Sequence, residues 1–427
     1  MSATNDTAYL DRYGRAFGRP LAAVLRMCGF TSPETYASGC WVVDARGQRW
    51  MDFGSYGLHL LGHCHEEVME ALRDQSKCIG LSSRVLGGRE SVEAAAALTA
   101  AAPPNLDSVV FGNSGAEVVD SALKIALISQ KNRSKLLAFR RSYHGKTFGA
   151  LSVSDTARLP QSCGLRAPVT FVDVGDSETV RALLRTHEFA AVIIEPVQGE
   201  GGIHPVPQPW LRWLRSECDE TSTLMILDEI QTGLRRCGPL WRSALECEPD
   251  ILLSGKVLGG GAVPVAALLY TRSRFSGLAA DPVFHASSYA GGGIAARVAS
   301  TVLSILQRRE FEEHAGSLSK EFSQRLGELR ARRIVADVRG EGLMAGVEFV
   351  SCHAAGLLVL EAARRKLLVT FCLSRPEVVR VYPPAVLTHD ELNDGLSRLA
   401  AAVDSVARQL ETRDEQPMKQ EDPECLS

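Results

Sequence analysis

Leu224-Met225-Ile226-Leu227-Asp228-Glu229 and Ile251-Leu252-Leu253-Ser254-Gly255-Lys256 are the stretches that decide the fold. Each is a short apolar run ending near a charged side chain, the pattern of a strand covered on both faces. Similar runs lie on either side: Ser108–Phe111, Leu136–Phe139, Val169–Val172, Ala190–Ile194 and Val265–Tyr270. Helical spacing fills several gaps between them, as in Gly115–Gln130 and Trp210–Cys218. Strands alternating with helices predict an α/β fold with a mainly parallel sheet between helical layers. In such sheets ligands sit beyond the carboxyl ends of the strands. The chemically interesting residues fall at those ends.

Working outward, Trp41-Val42-Val43 and Arg49-Trp50-Met51 flank the turn signal Asp44-Ala45-Arg46-Gly47 and predict a hairpin. The stretch to about Gly62 reads otherwise as turn-rich, and His65–Ser76 has helical spacing. After Arg308 a charged helical stretch, Glu310–Arg332, opens a second strand-and-helix region ending near Leu410. The polar tail 411–427, with Pro417 and Pro423, is expected to be disordered. With 427 residues, 45% of them hydrophobic, the chain exceeds the roughly 250–300 residues one core supports, so two domains or more are expected. The formal net charge of −3 and the lack of a Lys/Arg block argue against nucleic-acid binding. No apolar run is long enough to span a bilayer and no signal-peptide pattern opens the chain. Eleven scattered cysteines, with no Cys-x-x-Cys pair, read as reduced thiols of a cytoplasmic protein. His63, Cys64 and His65 lack the spacing partners of a zinc site, so no metal is expected.

Several residues admit both a chemical and an ordinary reading. Lys256, at the end of an apolar run, could be an amine made nucleophilic by its setting, or a strand-end lysine reaching solvent. Gly255-Lys256 is not a P-loop, because Val257 stands where Ser or Thr is required. Asp228 could pair with a protonated heterocyclic nitrogen or cap the next segment. Ser114-Gly115-Ala116-Glu117 could hold a phosphate at a helix N-terminus or be a plain capping box. Glu195 and Glu200 sit in the glycine-rich loop Glu195-Pro196-Val197-Gln198-Gly199-Glu200-Gly201-Gly202, as acid and base or as turn residues. Tyr143, before His144-Gly145, could stack on a flat ring or simply pack.

In their joint order these segments resemble the class III aminotransferases, a family of pyridoxal-phosphate enzymes of fold type I. The resemblance spans about Gly39 to Ala400. It rests on Leu227-Asp228-Glu229-Ile230-Gln231-Thr232-Gly233, Asp250 to Lys256, Glu195 to Gly202, Asn113 to Glu117, Tyr143-His144-Gly145-Lys146-Thr147 and Arg380-Val381-Tyr382-Pro383-Pro384. It implies a large domain, 63–308, with a seven-stranded sheet, and a smaller α+β domain formed by 1–62 and 309–410. It implies pyridoxal 5'-phosphate in Schiff-base linkage to Lys256, which would then carry the proton. Asp228 would bind the pyridine nitrogen with Glu195 in support, and Gln231 would lie near the ring hydroxyl. Ser114, Gly115 and Ala116 would hold the phosphate, Tyr143 would stack on the ring and His144 would lie beside it. The hydroxyl that reaches the phosphate from the neighbouring subunit falls at Ser288, which implies a homodimer with shared active sites.

For the substrate, the resemblance implies that Arg380 holds an amino-acid carboxylate and that Glu200 pairs with it when that carboxylate is absent. Tyr56 would line the same pocket. Lys146 stands where several members carry an arginine for a distal carboxylate, which favours diamine-type donors over GABA or ornithine. Val118-Val119-Asp120, Leu234-Arg235-Arg236-Cys237 and Ala290-Gly291-Gly292-Gly293-Ile294 also depart from the family pattern. The expected activity is transfer of an amino group between an amine, diamine or ω-amino acid and a keto acid, 2-oxoglutarate first among them. An aminomutase, racemase or decarboxylase reaction on the same fold is the alternative. A non-catalytic regulator would need a DNA-binding module, which the N-terminal segment is too short to supply.

Overall fold

The computed structural model describes residues 4–83, 85–155, 167–275, 281 and 283–414. The chain forms two compact units, one comprising Gly57–Leu60 and His65–Gly316, the other Met1–Tyr56, Leu61–Cys64 and Ser317–Ser427.

The first unit is built on seven strands: β1 (Ser108–Gly112), β2 (Lys135–Phe139), β3 (Val169–Val172), β4 (Phe189–Ile194), β5 (Leu224–Asp228), β6 (Ile251–Ser254) and β7 (Ala266–Tyr270). Their order across the sheet is β1-β7-β6-β5-β4-β2-β3. The four strands β4 to β7 are buried at every position, which is why they read as unbroken apolar runs. Leu224 pairs with Ala191 and Ile226 with Ile251 in parallel register. β7 runs the other way, antiparallel to both neighbours, with Ala266 opposite Gly112 and Ala267 opposite Ser254. Its start therefore lies at the edge where the other strands end. Helices cover the sheet, among them Gly115–Ser129, Gln208–Thr221 and Gly293–Leu306. The apolar side of Gly115–Ser129, with Val118, Ala122 and Ile125, packs on Ile193, Ile226 and Leu253 in one cluster.

The second unit holds two four-stranded sheets. The expected hairpin is present, with Trp41 opposite Met51 and Val43 opposite Arg49. Asp44 closes its turn by accepting the N–H groups of Arg46 and Gln48 at 2.9 and 3.0 Å. Leu367–Leu368 joins that sheet in parallel beside Arg49–Asp52. The other sheet orders Val335–Glu341, Met344–Phe349, Val378–Val381 and Thr370–Phe371.

Two expectations need correction. The opening of the chain is not turn-rich: helices cover Thr4–Phe17 and Arg19–Met27, broken at Gly18, whose φ is 106°. Tyr9, Tyr13 and Phe17 recur at helical spacing and their rings stack in series, a signal diluted by the polar residues between them. The last helix, His389–Asp414, continues past Leu410 into the stretch expected to be a disordered tail; 415–427 lie outside the described residues. Among the described residues no helix is long and apolar enough to cross a membrane.

Candidate active site

β5 delivers Asp228 to the carboxyl edge of the sheet as a buried carboxylate. One oxygen accepts the Ile230 N–H at 3.0 Å, and the other meets His144 Nδ1 at 2.7 Å. An ionised carboxylate only accepts, so this bond places the imidazole proton on Nδ1. His144 Nε2 is then buried with no hydrogen-bond partner among the described residues. The His144 backbone N–H donates to Ser154 Oγ at 2.8 Å, which fixes the segment that follows β2.

Glu195, directly after β4, is buried beside this pair. It accepts the N–H of Tyr143 at 2.8 Å and that of Gly199 at 3.1 Å, tying two loops together. Burial pushes its carboxyl up to about 7; the neighbouring His144 and the two amides pull it down, while Asp228 raises it further. Glu229, next to Asp228, does something different. Its carboxylate accepts the N–H groups of Arg242, Ser243 and Ala244 at 2.6, 2.8 and 3.0 Å, bracing a distant loop.

Ser114 caps helix Gly115–Ser129, its hydroxyl accepting the Glu117 N–H at 3.3 Å. Glu117 reaches back to the Asn113 N–H at 2.6 Å. The capping reading therefore holds, and it is compatible with an anion site, because a helix's first turn still presents amides without intrahelical acceptors. A Cβ on Gly115 would come within 3.0 Å of Ile230 Cδ1, so the backbone approaches the Asp228 loop as closely as it can. Asp120 holds the far side of this wall, accepting Thr147 Oγ1 at 2.9 Å and the Ala150 N–H at 2.7 Å.

Lys256 opens a 3₁₀ turn, Lys256–Gly259, with φ of 39°. A non-glycine residue in the left-handed region carries strain that its surroundings must hold, a pattern that clusters at working sites. Lys256 lines a cavity of about 660 Å³ together with Ser114, Gly115, Ala116, Tyr143, His144, Glu195, Asp228 and Gln231. Lys146, an exposed side chain, stands in the same lining. Residues that sequence reasoning did not single out complete the wall: Leu58, Asn113, Ile230 and the run from Gly261 to Val265. The last group precedes β7, and only the reversed direction of that strand brings it to this edge.

Four expected residues do not line the cavity. Ser288 borders a smaller one, about 250 Å³, with Phe111 and Gly291. Glu200 is buried in the turn that follows Gly199. Arg380 and Tyr56 belong to the second unit, where the buried Arg380 places its guanidinium carbon 4.9 Å from the Tyr56 ring centre and 5.8 Å from that of Tyr382.

An amine, a buried carboxylate–imidazole pair and a helix N-terminus facing one cavity suit a planar aldehyde-bearing heterocycle with an anionic arm. His144 Nε2, buried without a hydrogen-bond partner among the described residues, agrees with a group of that shape. Comparisons with known proteins give the group its name. The pattern of the class-III aminotransferases matches residues 30–403. The ornithine aminotransferase of Toxoplasma gondii, whose structure has pyridoxal phosphate at partial occupancy at the active site, is 28% identical with a TM-score of 0.80, covering 89% of this chain and 92% of its own. The ornithine δ-aminotransferase of Plasmodium falciparum is 26% identical with a TM-score of 0.76, covering 88% and 94%. A transaminase from the marine bacterium Virgibacillus, at 22% identity and a TM-score of 0.80 over 89% and 94%, shares the fold. Pyridoxal phosphate is the cofactor, the fold is type I, and the chain belongs to the class-III aminotransferase family of pyridoxal-phosphate-dependent transaminases.

Proposed function

We propose that the protein moves an amino group between an amine, diamine or ω-amino acid and a keto acid, with 2-oxoglutarate as the acceptor. The observation that carries this reading is the convergence of Lys256 and the Asp228–His144 pair on one cavity at the carboxyl edge of the sheet. Likeness to ornithine aminotransferases supports an ω-amino donor.

The bound cofactor supplies an aldehyde and an electron-withdrawing ring. The protein's own groups do the rest. Lys256 would hold the cofactor's aldehyde through Nζ with loss of water and, once the donor's amine has displaced it, its freed amine would be the base that takes up and gives back the donor's proton. Asp228 keeps a proton on the ring nitrogen, and the Nδ1–H of His144 holds that carboxylate in place. Glu195 would support the pair, Gln231 would meet the ring hydroxyl and Tyr143 would stack on the ring. The amides of Gly115 and Ala116, with the Ser114 hydroxyl, would hold the phosphate. Ser288 would reach the same phosphate from a second copy in a homodimer; that it borders a different cavity in its own chain is in keeping with this. Lys146, Glu200, Arg380 and Tyr56 are assigned to the substrate, Arg380 to a carboxylate through its planar fork. The scattered free cysteines are in keeping with a cytoplasmic setting.

The test is an absorbance titration of the holoenzyme with putrescine, ornithine and glutamate in turn. A productive donor collapses the band of lysine-bound cofactor, and 2-oxoglutarate restores it. If the band forms but no donor collapses it, the proposal fails and an aminomutase, racemase or decarboxylase reaction takes its place.

A further inference from the structure

Asp52 is a buried carboxylate with an unusual concentration of donors. One oxygen accepts the N–H groups of Gly54 and Ser55 at 2.9 and 3.1 Å. The other accepts the Ser55 hydroxyl and meets His63 Nε2 at 2.8 Å. His63 is itself fixed, exchanging backbone bonds with Gly39 at 3.0 and 2.7 Å. The loop that Asp52 folds is locked from outside as well. The Phe53 N–H donates to Leu368 O at 3.0 Å, and Phe53 O accepts the Tyr382 N–H at 2.7 Å.

This loop ends on Tyr56, whose φ is 50°. An aromatic residue in the left-handed region needs surrounding structure to keep it there. The residue is 54% exposed, and its ring centre lies 4.9 Å from the guanidinium carbon of the buried Arg380. Tyr382, pinned to the same loop through Phe53, supplies the second ring near Arg380. A guanidinium within reach of aromatic rings is attracted to them by cation–π interaction and loses orientational freedom.

We infer that Asp52 and His63 are positioning residues for substrate carboxylate recognition: they set the loop that places Tyr56 on Arg380 and so fix the direction in which the arginine fork points. The inference rests on the proposal that Arg380 holds a substrate carboxylate. Asp52 touches neither cofactor nor substrate in this account. Its effect is carried by one strained tyrosine, and it is confined to substrates that bear the carboxylate. An ordinary loop brace would show no such selectivity.

The experiment follows the half-reaction of the holoenzyme spectroscopically, with glutamate as the carboxylate-bearing donor and putrescine as the donor without one. Asp52→Ala, His63→Ala and Tyr56→Ala are each expected to raise the half-saturating glutamate concentration about tenfold, the scale of one cation–π contact. For Asp52→Ala and His63→Ala the limiting rate is expected to stay within about twofold, and the putrescine parameters likewise. His63→Gln, which retains a donor toward Asp52, should recover most of the loss. Equal losses with both donors would overturn the inference, since that is what general bracing does. So would a glutamate defect in Tyr56→Ala that is absent from Asp52→Ala and His63→Ala. If Asp52→Ala does not fold, His63→Ala carries the same comparison. Arg380→Lys separates the two levels: if it leaves glutamate saturation unchanged, the role of Arg380 itself is wrong, whatever Asp52 does.

Discussion

Glu195→Gln should remove a pH dependence from the cofactor-free protein. The carboxyl of Glu195 is raised from 4.5 to about 7, chiefly because burial penalises its charged form. Between those two values the folded protein keeps a proton that the unfolded chain has released. The group's stabilising effect is therefore complete below about pH 4.5 and is lost as pH rises through about 7. The distance between the two values corresponds to about 3 kcal/mol. Glutamine keeps the shape and cannot titrate, so its stability carries no such slope. Urea unfolding of wild type and variant at pH 5 and pH 8 isolates the group together with the neighbours it interacts with, His144 and Asp228, because ionisations elsewhere cancel in the difference. That difference is expected to move by roughly 2–3 kcal/mol against the wild type on going to the higher pH, part of the full span having been lost already at pH 5. Infrared difference spectra provide the direct reading: a protonated-carboxyl band that titrates near 7 in the wild type and is missing in the variant. A band that titrates near 4.5, or a difference in stability that stays flat, would refute the assignment of the shift to burial.

Lys256→Ala should abolish the band of lysine-bound cofactor and lower turnover by about a thousandfold or more, read in the absorbance and amino-transfer assays. Gly201→Ala should destabilise by about 2 kcal/mol or more, because its Cβ would meet a backbone oxygen, that of Arg141, and backbone cannot swing aside; thermal unfolding of the holoenzyme checks it. Glu229→Ala should cost at least about 3 kcal/mol, since it leaves the buried amides of Arg242, Ser243 and Ala244 without their acceptor. Lowered stability with a normal cofactor spectrum would separate this brace from Asp228, one residue earlier.

Much of the large sheet was legible because burial on both faces leaves a plain mark: Ala190–Ile194, Leu224–Leu227 and Ile251–Leu253 need no polar side chain anywhere along them. Strand direction leaves no such mark. Val265–Tyr270 reads the same whichever way it runs, so Gly261–Val265 could not be recognised as a wall of the cavity. Adjacent carboxylates posed a similar problem. Asp228 and Glu229 point to different tasks because successive side chains of a strand end face opposite ways, and only the partners, His144 for one and three loop amides for the other, tell them apart. The pairing of Asp52 with His63 was hidden for another reason. His63 sits in an apparent His-Cys-His cluster, which draws attention to its neighbours in sequence rather than to a carboxylate across a hairpin. The N-terminal helices escaped because a few rings at helical spacing were outnumbered by polar residues.

The reversal of β7 also bears on how steady the reactive amine can be. A parallel successor to β6 would require a crossover of a dozen or more residues to return the chain to the opposite edge. Because β7 runs backwards, the segment from Gly255 to Val265 leaves and re-enters the sheet at one edge, with Ser254 and Ala267 directly paired. Lys256 is thus carried two residues beyond Ser254, on a connection held at both ends by fully buried strands. Little entropy remains to be lost there when the cofactor is gripped. The same pairing means that a residue inserted there would have to be taken up between two fixed strand ends.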